Sequence, residues 1–172
     1  MKYVDYDFFN DIYGDTDISE ATFNRLSWEV CRKLDIATTG ADNVRKLAVA
    51  FPRDEYAAEA VRRCACKLIK IASEIEKSEE TLNNAKGYVT REDGSLQGKV
   101  VSSVSAGNES ISYAVSSGSS NATLIDKALA DKSVQNKLYS DTISEYLSGV
   151  SDANGVSLLY MGEYPSRICS KG

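Results

Sequence analysis

The chain contains no histidine. That absence removes the commonest general base, the Ser-His and Cys-His nucleophile pairs, and most zinc sites. Glycine is scattered and forms no phosphate-binding pattern. Gly40 and Gly87 stand isolated, and neither G-K-S/T nor G-x-G-x-x-G occurs, so no familiar phosphate loop is present. No apolar run approaches the ~20 residues needed to cross a bilayer. The opening MKYVDYDFFNDIYG also lacks the basic start and apolar stretch of a secretion signal, which predicts a protein made and kept in a cytoplasm. Cysteine is limited to Cys31, Cys64, Cys66 and Cys169, whose scatter does not form a disulfide framework and predicts free thiols. Cys64 and Cys66 suggest a metal clip at first sight. However, C-x-C on a helix points its sulfurs to different faces, and there is no second pair or histidine to complete tetrahedral coordination. Positive charge is also short. A net charge of -5 and a pI near 4.9 remove the counterion-release term that drives attachment to DNA or anionic membrane.

What is present is ordinary globular composition, 42% hydrophobic and 26% charged, in a chain long enough to bury roughly two thirds of its unfolded surface. The first segment interleaves Tyr3, Tyr6, Phe8, Phe9 and Tyr13 with Asp5, Asp7 and Asp11 before Gly14 breaks it. It reads as an N-terminal arm over residues 1–17. Ser19 caps the next element, Ile18 and Phe23 have hydrophobic-staple spacing, and Phe23, Leu26, Val30 and Leu34 form one stripe of a helix from Glu20 to Ala37. Trp28 lies off that stripe, placed either at the core edge or in a subunit contact. After Thr38-Thr39-Gly40, the residues Val44, Leu47, Ala48 and Phe51 predict a short helix stopped by Pro52. The strongest periodicity follows in Ala57, Val61, Cys64, Ala65, Leu68, Ile71, Ala72 and Ile75, the apolar face of a central helix.

Residues 78–98 are polar and glycine-containing and predict a long loop. Over 99–116 the period changes to two, with a turn at Ala106-Gly107-Asn108 and alternating Ile111, Tyr113 and Val115, which predicts a β-hairpin. A Ser/Gly hinge at 116–120 precedes a helix capped by Asn121, with a restart at Ser133 that carries Val134, Leu138, Tyr139, Ile143, Tyr146 and Leu147 and ends at Gly149. The tail, 150–172, holds the apolar run Val156-Ser157-Leu158-Leu159-Tyr160-Met161. The expected core joins Phe23, Leu26, Val30, Leu34, Val61, Cys64, Leu68, Ile71, Leu138 and Ile143. The fold class is mainly α, a small helical bundle with an inserted β-hairpin and extended terminal arms.

Two carboxylate pairs bear on chemistry. Asp5 with Asp7, and Asp15 with Asp17, fail the calcium-loop pattern because Phe9 and Ser19 stand at the third ligand position. They read as a solvated acidic edge. No catalytic residue, metal ligand set or cofactor is expected, and the chain reads as a binding protein and not an enzyme.

The order of landmarks resembles a known family. Tyr3-Val4-Asp5-Tyr6-Asp7-Phe8, Tyr13-Gly14, Ile18 and Phe23-Asn24-Arg25-Leu26 look like the start of the head-tail connector (adaptor, or head completion) proteins of tailed phages and prophages. The helix Glu55 to Ile75 resembles that family's central helix. Val100 to Tyr113 is similar to its hairpin, and Tyr146-Leu147-Ser148-Gly149 with Leu158-Leu159-Tyr160-Met161-Gly162 to its closing segment. The chain departs from the pattern between Gly40 and Phe51 and over Glu79 to Gly98. The resemblance implies a single connector-like domain over 1–172 without cofactor. It further implies a virion subunit that forms a ring with itself, a dodecamer in the virion neck, between the portal protein and the next neck or tail completion protein. The genome would pass through without sequence-specific binding, and the subunit would assemble in the bacterial host cytoplasm. The competing expectation is an intracellular helical protein-protein interaction or regulatory module. Trp28, Leu158, Leu159, Tyr160, Met161 and Tyr164 are the candidate partner-binding residues. The tail either docks on a partner and is poorly ordered in the free protein, which the resemblance favours, or folds back on its own bundle.

Overall fold

The computed structural model describes residues 2–14, 17–85, 87–90, 96–105, 110–114, 125, 128 and 131–165, with side chains described outside 81–114. These residues are mainly helical, in two compact units: Met1–Ser73 with Asn136–Gly172, and Glu74–Gln135. The helices are α1 (Tyr6–Tyr13), α2 (Glu20–Ala37), α3 (Lys46–Val49), α4 (Glu55–Ala85) and α5 (Lys132–Leu147).

The N-terminal segment is a docked helix, not an extended arm. The Asp5 carboxylate accepts from the Phe8 N–H at 2.8 Å and caps α1, and Gly14 ends it at a positive φ of 68°. The aromatics that interleave with acids in sequence separate onto two faces once the backbone is helical. Phe9 is buried, with ring centroids 5.3 Å from Phe23 and 5.2 Å from Tyr13, and Tyr6 lies 5.4 Å from Phe23. Tilted ring pairs at these separations add about 0.5–1.5 kcal/mol each beyond their area burial. Upstream, Tyr3 stacks on Phe51 and donates its hydroxyl to the Asp35 carboxylate. Arg62 and Lys70 of α4 cover the Phe8 and Tyr13 rings at 5.8 and 4.9 Å.

Ser19 caps α2 through the Thr22 N–H, and Ile18 and Phe23 are both buried, as a staple requires. The α2 stripe Phe23, Leu26, Val30 and Leu34 and the α4 stripe Val61, Cys64, Leu68 and Ile71 are buried as their spacing predicts. In α5 the expected Tyr139, Ile143 and Leu147 are buried, but Leu138, expected in the core, is not. Tyr139, Thr142, Ile143 and Leu147, at steps of three, one and four, share the inward face, and Leu138 lies at its edge, half-buried. The expected helix between Val44 and Phe51 shrinks to the single turn of α3. Asn43, at φ 60°, and the Thr39–Arg45 bridge hold the chain non-helical until Lys46.

In the second unit α4 continues to Ala85, so the polar loop expected from Glu79 begins as helix. Glu79, Glu80 and Leu82 are good helix formers, and polarity alone does not break a helix. Backbone pairing then gives β1 (Gly87–Thr90), β2 (Leu96–Ser105) and β3 (Ser110–Ala114), antiparallel in the order β1-β2-β3 with an irregularity between Val101 and Ser103. The two-stranded hairpin expected over 99–116 is not found as such, since a strand lies where the loop was expected. The turn at Ala106-Gly107-Asn108, the hinge at 116–120 and the cap at Asn121 lie outside the described residues.

Leu68 is completely buried in the middle of α4. Leu68→Ala should cost about 2–5 kcal/mol in chemical denaturation. An unchanged midpoint would show that this face of α4 is not core.

Candidate interaction surface

The C-terminal segment folds back on its own chain. Lys46, fully buried, donates from Nζ to the Leu158 carbonyl at 3.1 Å and to the Tyr160 carbonyl, with the Tyr160 ring centroid at 6.0 Å. Burial holds its pKa below the ordinary lysine range, opposed by the nearby Asp152 and Asp42 carboxylates. A second set of bonds runs through those two acids. Asp152 Oδ1 accepts from the Asn154 and Val156 N–H groups, both at 2.9 Å, and its Oδ2 accepts from the Tyr164 hydroxyl at 2.6 Å. Asp42 accepts from the Tyr164 N–H at 2.9 Å. Backbone bonds complete the attachment: Leu158 N–H to Val150, Ala41 N–H to Gly162, and Ala153 N–H to Ala50. Gly40 is required by this fit, because a Cβ there would sit 2.8 Å from the Gly162 carbonyl oxygen.

The candidate partner residues therefore divide. Leu158 is fully buried and Tyr164 is tied to Asp42 and Asp152, so both serve the chain's own fold. Of the two expectations for the tail, this overturns the poorly ordered docking element and matches the fold-back on its own chain. The short apolar run finds its cover intramolecularly, and α3, a single turn, supplies a buried ammonium for its carbonyls. Leu159 is half-buried. Trp28 at 61%, Tyr160 at 51% and Met161 at 63% exposure remain available, which places Trp28 outside the core edge.

Two clefts collect the exposed residues. One, of about 440 Å³, is lined by Trp28, Cys31, Arg32, Asp35, Ile36, Thr39 and Arg45. The other, of about 540 Å³, lies between α2, α5 and the tail, with Lys33, Ile36, Tyr139, Ile143, Leu159 and Met161 among its walls. Ile36, 63% exposed, borders both. Trp28, Arg32 and Ile36 follow at steps of four, which makes them one outward ridge of α2, and the Arg32 guanidinium lies 5.9 Å from the Trp28 ring centroid. An exposed aromatic-aliphatic ridge flanked by clefts suits a protein partner. Arg32, Ile36 and Arg45 were not singled out from sequence. The ridge spacing was readable there, whereas Arg45 joins it only through the turn before α3.

Reactive chemistry is weak here. Cys31, Cys64 and Cys66 are free and buried, and burial pushes the Cys31 thiol up and the Cys64 and Cys66 thiols up to about 12. At neutral pH none supplies a thiolate. Among the described residues, no group of three or more metal-ligating side chains converges, and no helix is long and apolar enough to cross a membrane. Comparison with protein-family models, curated proteins and solved structures finds no match.

Two predictions follow from the attachment and the thiols. Lys46→Met leaves two carbonyls without their donor, at about 1–3 kcal/mol for each that stays dry. Truncation after Gly155 also removes the buried Leu158, so both variants should unfold at lower denaturant than wild type. Wild-type stability in either would detach the tail from the fold.

The second concerns alkaline pH. A thiol that keeps its proton to about 12 in the fold, but loses it near 9.0 unfolded, makes the native state bind more protons between those values. Stability then falls as pH rises, by up to ~1.4 kcal/mol per pH unit per thiol. Tyr3, held up by burial and Asp35, acts with the same sign at still higher pH. Lys46 acts oppositely, one group against three thiols that are all pushed up. Urea midpoints should drop between pH 8 and pH 10; a rise would contradict the burial of the thiols.

Proposed function

We propose that the chain is a non-enzymatic structural subunit of a phage neck, forming a ring that joins the portal to the next neck or tail protein and encloses the DNA passage. The reading rests on the ordered landmarks, Tyr3-Val4-Asp5-Tyr6-Asp7-Phe8 through Leu158-Leu159-Tyr160-Met161-Gly162, which resemble the head-tail connectors along most of the chain. The opening and closing landmarks each have a structural task. The opening residues provide the α1 cap and its ring cluster, and the closing ones the Lys46-held segment. The net charge of -5 suits a passage through which DNA slides, because a basic lining would retain it.

The exposed ridge Trp28-Arg32-Ile36 favours a second reading, a helical module that binds one regulatory partner. The two separate on one experiment. The purified chain is mixed with the portal ring encoded in the same genome and examined by gel filtration and electron microscopy. A connector adds a ring of copies to one face of the portal. If the genome encodes no portal, or the portal elutes alone, the connector reading fails and the regulatory module stands. The inserted β region over 99–116 serves assembly in this reading. Its deletion should leave helical circular dichroism intact and abolish rings, whereas loss of helix would place it in the fold.

A further inference from the structure

The cleft beside Trp28 carries an excess of positive charge. Arg32 and Arg45 line it, and among the described residues neither is in an ion pair. The one acid in the cleft, Asp35, already accepts the Tyr3 hydroxyl. Two arginines against one carboxylate leave an excess of positive charge around an exposed tryptophan, on a chain that is acidic as a whole. Arginine and tryptophan together are the side chains most enriched where interfaces gain their affinity.

The same chain carries a complementary edge. Asp7 and Asp11 are exposed on α1, one turn apart, about 6 Å along the axis. Asp5 caps the helix, but neither Asp7 nor Asp11 is in an ion pair or a side-chain hydrogen bond among the described residues. Their helix is fixed by its rings to α2 and cannot swing into the cleft of its own chain. It is rigid enough to present both acids to another molecule.

We propose that the Trp28-Arg32-Arg45 cleft of one copy receives the Asp7-Asp11 edge of α1 from a second copy. The two patches differ, so the contact is heterologous, and repeating it builds a ring or an open filament and not a closed dimer. The proposal rests on the ring reading above and names the faces that meet.

The chain's single tryptophan is Trp28, so its emission reports directly on occupancy of the cleft. Sedimentation and Trp28 emission are measured against concentration at low salt for the full chain, for R32E/R45E, for D7K/D11K, and for the two variants mixed. Wild type should associate with a blue shift of emission, and each variant should associate roughly tenfold or more weakly, since like charges now face each other. In the mixture the native Asp edge of one variant meets the native Arg cleft of the other, and the reversed Lys edge and Glu cleft are again opposite in charge, so mixing should restore association that neither variant shows alone, and salt should weaken wild-type association. Circular dichroism of the variants checks that they fold. Association that neither variant alters overturns this contact while leaving the ring reading intact. So does loss of portal binding in R32E/R45E with self-association unchanged, which would assign the cleft to the portal. A chain that stays monomeric at all concentrations and also on the portal ring overturns both.

Discussion

A buried ammonium joined to two backbone carbonyls holds this molecule's C-terminal segment in place. Lys46 sits fully buried on a one-turn helix, with the carbonyls of Leu158 and Tyr160 as its acceptors and Asp42 and Asp152 as its electrostatic neighbours. A lysine in that position is costly unless its donors are satisfied, so the tail and the lysine require each other. The consequences reach outward. With the carbonyls fixed, Leu158 fills the interior, Tyr164 reaches Asp152 and Asp42, and Gly40 passes close to Gly162. Tyr160 and Met161 stay exposed beside the buried Leu158.

The same division of labour appears at the other end of the chain. The aromatics of α1 are consumed by the fold through Phe9, Tyr6 and Phe23, while its acids stay in water. On α2 the stripe Phe23-Leu26-Val30-Leu34 is core, and the ridge Trp28-Arg32-Ile36 faces out beside two clefts. A surface that is basic and aromatic in one place and acidic in another, on an otherwise acidic protein, is what directional self-assembly requires.

Much of this was legible in the sequence where a period repeats. The stripes of α2 and α4, the Ser19 cap and the Ile18-Phe23 staple follow from spacing alone, because side chains three and four apart share a face. The N-terminal helix was not. Asp5-Tyr6-Asp7-Phe8 alternates like an exposed strand, and only helical winding brings Tyr6 and Phe9 onto one side. The cover of the C-terminal segment was not legible for a different reason. Leu158 needs a cover, but a partner from α3, more than a hundred residues away in sequence, leaves no local trace. Lys46 in particular reads as a surface residue, since lysine is almost never buried without compensation. Of the candidate interaction residues, Trp28, Tyr160 and Met161 are exposed, while the arginines that flank Trp28 become neighbours only in three dimensions.

The tail is part of the fold, and the α2 ridge is left exposed. Amide hydrogen exchange on the free protein separates these claims most directly. The Leu158 N–H, bonded to the Val150 carbonyl, and the Ala41 N–H, bonded to Gly162, should exchange as slowly as amides in the middle of α5. Exchange of both at the rate of an unstructured chain, with α5 still protected, would mean that the tail is free and that Lys46 does not hold it.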